Sequence, residues 1–271
     1  MRFPDSRPAQ HVAQWLRHTP MTEPGALASE FEKLPSDVAS LNRIAQGLLV
    51  HSEWLPAYGL DADTVRPVSR ATLPVGERLG GLLKLDRLSL RAARAPANRS
   101  VGTCRDFALT LCSFLRAKGA PARLRCGFAA YLAHGWEDHW VCEYWDGEKE
   151  AWRLSDPQLD EITCAWCAVS FDPADLPRDV FLTAGEAWLR CRAGEEDPDR
   201  FGHGDVKGLW FIGVNVVRDA YAVNGRETSA WDEWREVPCD RRRIMPRELP
   251  NVERLAQRPE HPPGDIAPPW L

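Results

Sequence analysis

Residues 101–156 constrain the fold more than any other stretch, because one apolar helix runs directly into three strand-like segments. Phe107, Ala108, Leu111, Cys112, Phe114 and Leu115 give the helix a broad apolar face, so it has to be buried. Thr103 can cap its start, Asp106 stands in its first turn, and Arg116 and Lys118 lie near its end. Gly119 and Pro121 close it. From Ala122 to Leu132, the residues Leu124, Cys126, Phe128, Ala130 and Leu132 alternate with Arg123, Arg125, Gly127 and Tyr131, the period of a strand. Asp138 to Trp145 and Ala151 to Asp156 follow as two more strands, with Asp146-Gly147-Glu148-Lys149 as their hairpin loop. A helix that needs cover, followed by strands able to cover it, predicts an α+β fold with that helix packed on an antiparallel sheet.

Three residues in this stretch fall where thiol chemistry wants them. Cys104 opens the buried helix, where free backbone N–H groups and the positive end of the macrodipole favour thiolate. His139 and Asp156 lie on the second and third strands. If Trp145 pairs with Glu150 across the loop, the same register sets His139 opposite Asp156, at a Cβ separation of about 4.5–5.5 Å. An imidazole so placed can accept the thiol proton while the carboxylate fixes its tautomer. His134, in the loop before the second strand, competes with His139 for the role of base. Asp160 shares the neighbourhood of Asp156 but does not fit the register. Trp136 and Trp140 flank the base and Glu143 shares its strand face, which makes all three candidates for substrate binding. Packing or a salt bridge would account for them equally well.

The residues around these three resemble the transglutaminase-like superfamily. Gly102-Thr103-Cys104-Arg105-Asp106-Phe107-Ala108 is similar to the family's Gly-x-Cys helix start, and Lys118-Gly119-Ala120-Pro121-Ala122-Arg123 resembles its link into the next strand. His139-Trp140-Val141-Cys142-Glu143-Tyr144 resembles its His-x-Trp-x-Glu strand with the tryptophan one place early, and Trp152 with Asp156-Pro157 resembles its closing motif. The resemblance covers residues 95–160 and implies a papain-like core without metal or organic cofactor. It implies Cys104 as nucleophile, His139 as general base and later acid, and Asp156 as the orienting carboxylate. The Cys104 backbone N–H is the first oxyanion donor in that scheme, with Asn98 as a candidate second. The implied chemistry is acyl transfer from an amide, ester or thioester donor through a thioester acyl-enzyme, passed to an amine. Hydrolysis by a cysteine peptidase or amidase is the alternative, and a non-catalytic binding module on the same fold is a third reading. Arylamine acetyltransferases order Cys, His and Asp alike, but Ser100-Val101-Gly102-Thr103 lacks their Arg-Gly pair.

The flanks carry less information. We expect residues 1–95 to be a helical part of the same domain, 96–175 the catalytic core, 176–257 an extension packed on it, and 258–271 a proline-rich tail. Helical spacing runs from Pro8 to His18, from the cap pair Ser36-Asp37 toward His51, and from Gly76 to Leu90. Thr183-Ala184-Gly185-Glu186 is a capping box, Glu195 to Asp199 an acidic turn, and Leu209 to Val217 an apolar run of either type. Arg218 and Asp219 after that run read best as internal ion-pair partners, and Arg241-Arg242-Arg243 as a solvated turn. A formal charge of −5 argues against nucleic acid as a partner. The absence of an apolar signal or spanning run leads us to expect a cytoplasmic protein without a membrane partner. Eight cysteines without a secretory signal do not read as a disulfide framework. Cys164-Ala165-Trp166-Cys167 has redox or zinc spacing, but no second ligand pair completes it.

Overall fold

The computed structural model describes residues 10–65, 74–132, 135–227 and 235–261. Pro8, His134 and residues 262–271 of the expected tail therefore lie outside the described residues. The chain divides into two compact units: Met1–Leu124 with Val141–Leu176, and Arg125–Trp140 with Pro177–Leu271.

In the first unit, single helical turns at Ala13–Leu16 and Gly25–Leu27 lead into α1 (Ala28–Glu32) and α2 (Val38–Leu48). The cap expected before α2 is present: Asp37 Oδ1 accepts the Ser40 N–H at 2.8 Å. The helix stops at Leu48 rather than running on toward His51, because Leu49–His51 forms a strand, β1. After α3 (Val75–Asp86), β1 pairs in parallel with β2 (Ser100–Gly102), setting His51 beside Gly102. The next residues are Thr103 and α4 (Cys104–Ala117), whose side chains are buried from Arg105 to Arg116. Phe114 of α4 meets Phe31 of α1 edge to face at 4.9 Å. Gly119 follows at φ +75°, a conformation that suits glycine at a helix end.

Strands β3 (Ala122–Ala129) and β4 (Trp136–Asp146) come next, then β5 (Ala151–Ser155) and the short α5 (Glu161–Trp166). The β4–β5 hairpin corrects the expected register. Trp145 pairs with Trp152, and the ladder runs from Asp146↔Ala151 to Cys142↔Ser155, two residues away from the register that set His139 opposite Asp156. The cause lies in the loop. Asp146 Oδ1 accepts the N–H groups of Glu148 and Lys149, and Glu150 takes φ +48°, so Glu150 belongs to the turn and not to the strand.

In the second unit, β6 (Phe181–Thr183) leads into α6 (Ala184–Ala193). The capping box is formed: Thr183 N–H donates to Glu186 Oε2 at 2.8 Å, and Glu186 N–H to Thr183 Oγ1 at 3.3 Å. The hairpin β7 (Phe201–His203) and β8 (Val206–Lys207) precedes α7 (Leu209–Val223), and α8 (Leu249–Gln257) follows. The ambiguous apolar run is thus the first half of a helix. Every residue from Trp210 to Val223 is buried, so no polar face was available to reveal its period. Trp188, Phe201, Trp210 and Phe211 centre the core there.

The strand order is β6-β3-β4-β7-β8, with β5 also on β4. The fold is α+β. Strands β4–β5 pair antiparallel as expected, and β3 pairs antiparallel with β6, a strand that the sequence reading did not include. Strand β7 joins β4 in parallel, a pairing that needs the long crossover lying between them, so the sheet is mixed rather than antiparallel.

Candidate active site

Cys104 is the first residue of α4 and is partly exposed, although almost everything after it in the helix is buried. Its start is fixed from two sides. Strand β2 delivers the chain through Gly102, whose C=O accepts the Ser52 N–H at 2.9 Å. Asp106 then reaches back, its Oδ2 accepting the Thr103 N–H at 2.8 Å. The first N–H groups of an α-helix have no acceptor within it, so this end presents donors and positive potential to whatever the sulfur carries.

Asp156 follows directly on β5 and is fully buried. Its N–H donates to Pro173 O at 2.8 Å and its Oδ1 accepts the Gln158 N–H at 3.0 Å, which fixes backbone and carboxylate together. Asp160, its competitor, is committed elsewhere: it caps α5 through Ile162 N–H and Thr163 N–H, accepts the Tyr58 hydroxyl at 2.8 Å and pairs with Arg99 at 3.3 Å.

His139 lies on β4, is 1% exposed, and meets the Tyr131 ring edge to face at 6.0 Å. Its two strand neighbours are both held by Arg218 of α7. Arg218 Nη1 lies 3.2 Å from each carboxylate oxygen of Asp138, and its guanidinium sits 5.2 Å from the Trp140 ring centre. Asn215 adds a 2.9 Å bond to Asp138. Arg218 and Asp219 are thus in internal ion pairs as expected, though with partners of their own: Asp219 takes Arg125 through both carboxylate oxygens and also accepts the Cys126 N–H at 2.8 Å.

The three candidates for substrate binding have structural occupations. Trp136 stacks on Phe201 at 5.6 Å within the second unit's core. Trp140 is buried against Arg218. Glu143 is buried and accepts from Arg123 Nε at 2.7 Å, while that guanidinium lies between the rings of Trp15 and Trp152. Asn98 ends a single helical turn, Pro96–Asn98, ahead of β2. Cys104 and Asp156 belong to the first unit and His139 to the second.

Five of the other cysteines are poorly set for reaction. Cys112, Cys126 and Cys142 are buried, and burial pushes the Cys142 thiol well up, with Cys112 beside it adding to the effect. Burial, reinforced by Asp156 and Asp160, raises Cys164 to about 11. Burial, then Cys164 and Asp156, does the same for Cys167. Thiols raised in this way do not suit a redox pair at neutral pH. Among the described residues no group of three or more His, Cys, Asp or Glu could hold a metal ion, and no helix is long and apolar enough to cross a membrane.

One residue at this site escaped the sequence reading. Arg78 of α3 is buried and bonds to Ser100, Val101 and Asp106 around the start of α4. Its signal was a charge at the helical spacing of an apolar face, beside Val75, Leu79 and Leu82.

Residues 88–157 match the model of the transglutaminase-like superfamily. That segment contains Cys104, His139 and Asp156, and it supports a cysteine-dependent enzyme in general. Among solved structures, the chain is similar to a "putative cysteine protease" from Cytophaga hutchinsonii, with 17% identity and a TM-score of 0.37. The match covers 58% of this chain and 45% of that one, so the chain spans less than half the length of that protein. A search of curated proteins finds no match.

Proposed function

We propose that this protein is a thiol acyltransferase in which Cys104 is the nucleophile, His139 the general base and acid, and Asp156 the carboxylate that orients the imidazole. The observation that carries the reading is the place of Cys104: the first residue of a 14-residue helix, partly exposed where the helix is buried from Arg105 to Arg116. His139 takes the thiol proton, and the sulfur attacks the carbonyl carbon of an amide or thioester donor. A C–S bond forms, and the negative charge on oxygen is met by the Cys104 N–H. Collapse breaks the bond to the leaving group, and the departing amine or thiol takes the proton from His139, which returns to its neutral form. An acceptor amine then attacks the thioester, gives its proton to the base and releases the sulfur, leaving an amide. Water in place of the amine would make the protein an amidase or peptidase.

The site as proposed uses protein groups alone, with an acyl donor and an amine as partners. The test is product analysis with a panel of acyl-thioester and glutamine-peptide donors, with and without a fluorescent primary amine. Amide product that rises with amine concentration and vanishes in Cys104→Ala supports transfer. Free acid at an amine-independent rate establishes hydrolysis instead, and no Cys104-dependent product from any donor favours a binding module.

A further inference from the structure

We propose that Arg78 is a positioning residue for Cys104: its guanidinium neutralises Asp106 in the first turn of the nucleophile helix and so keeps that helix end positive for a thiolate. The inference rests on the reading of Cys104 as nucleophile.

The geometry is a clasp. Arg78 projects from the buried face of α3 with its side chain 2% exposed, and Asp106 is 1% exposed. Arg78 Nη1 donates to Ser100 Oγ at 3.0 Å and to Val101 O at 2.7 Å, and Nη2 donates to Asp106 Oδ1 at 2.8 Å. The other carboxylate oxygen accepts from Thr103, through the N–H at 2.8 Å and the hydroxyl at 3.2 Å. Five hydrogen bonds therefore tie β2, the cap residue and the first helical turn into one unit around residue 104. Gly102 presses on the same group; a Cβ there would fall 3.0 Å from Asp106 Oδ2.

The electrostatic reason for the clasp follows from where Asp106 stands. A carboxylate in the first turn satisfies helix donors, but its charge sits two residues from the sulfur and opposes a second negative charge there. Desolvating a guanidinium to meet it is costly, and a helix cap by itself does not call for it. Pairing with Arg78 lets Asp106 cap the helix as half of a neutral pair. The dipole is then left to the thiolate.

The clasp is testable without any substrate. The full-length protein is alkylated at pH 7 with limiting iodoacetamide, an uncharged reagent, and modification is followed by peptide mass spectrometry. Exposed Cys239 serves as the reference in the same tube. R78M should slow Cys104 by roughly threefold to tenfold, since loss of thiolate is partly offset by greater nucleophilicity, and should leave Cys239 unchanged. D106N removes the opposing charge while its side-chain oxygen can still accept from Thr103, so Cys104 should stay at least as fast as in the wild type. The double variant R78M/D106N should recover most of the R78M loss. A structural strut alone predicts the reverse, and a double variant no faster than R78M overturns the proposal. Should R78M fail to fold, D106N decides: slower Cys104 there is equally fatal. Failure of the nucleophile reading shows separately, as wild-type Cys104 reacting no faster than Cys239 and turnover surviving Cys104→Ala.

Discussion

Replacing Arg218 by methionine should cost about 4 kcal/mol, with most of the loss cancelled when Asp138 is replaced as well. The side chains of Arg218 and Asp138 are 4% and 8% exposed, so solvent screens the pair little. Deleting one partner of a buried pair costs ~3–5 kcal/mol, because the other charge is stranded. The low end, about 3 kcal/mol, applies here. Both contacts are 3.2 Å long from a single nitrogen, and Asn215 still donates to the carboxylate at 2.9 Å. Loss of the cation from the Trp140 face adds ~1 kcal/mol. R218M/D138N removes both charges and should fall only ~1–2 kcal/mol below wild type. Urea unfolding of the two single variants and the double gives the coupling energy directly, expected at no less than ~2–3 kcal/mol, because the R218M loss already exceeds that of the double by this amount and D138N adds a loss of its own. A coupling under about 0.5 kcal/mol, or an R218M loss under about 1 kcal/mol, would mean that Arg218 and Asp138 are not a desolvated pair. His139 lies between the two residues that Arg218 holds, so R218M should also lower kcat, by roughly tenfold.

Other perturbations are equally direct. Glu143→Gln should lower stability through Arg123 yet leave KM unchanged, since Glu143 is buried in an ion pair; a raised KM in the folded variant would return it to substrate binding. Gly127→Ala should lower Tm sharply, because its Cβ would lie 2.1 Å from Leu182 O across the β3–β6 pairing, and only backbone movement can relieve that; an unchanged Tm would contradict the register. Cys164 and Cys167, raised to about 11, should alkylate at pH 8 far more slowly than exposed Cys239 and catch up only as pH approaches that value. The sign for stability is the same: the unfolded chain loses these protons near ~8.5, so their contribution is intact below that pH and declines on the way to about 11. Replacing both by serine should flatten the alkaline fall in Tm.

The sequence made α4 legible because its punctuation is local. Thr103, Asp106 and Gly119 act within a turn of where they stand, and each does in the structure what its residue type predicts. The strands were legible by their alternation, and their register was not. Register depends on which residue the loop absorbs, and Glu150 at positive φ with Asp146 capping the turn moved it by two. Strand β1 was hidden because Leu49 and Val50 continue the apolar spacing of α2, and only pairing with β2 marks them as a strand. Trp136 and Glu143 show the limit for side chains: position on a strand gives a face, whereas Phe201 and Arg123, far along or across the chain, decide what covers it. Arg78 is the converse case, a charge set on an apolar helix face for a partner 28 residues away.

Whether Cys104 carries an acyl group with His139 as its base is read from the intact mass of the wild type, Cys104→Ala and His139→Ala after exposure to a reactive acyl thioester. One acyl adduct is expected on the wild type, none on Cys104→Ala, and formation slowed by ~10²-fold or more on His139→Ala. An adduct that persists on folded Cys104→Ala, or one that forms at the wild-type rate without His139, would contradict these roles.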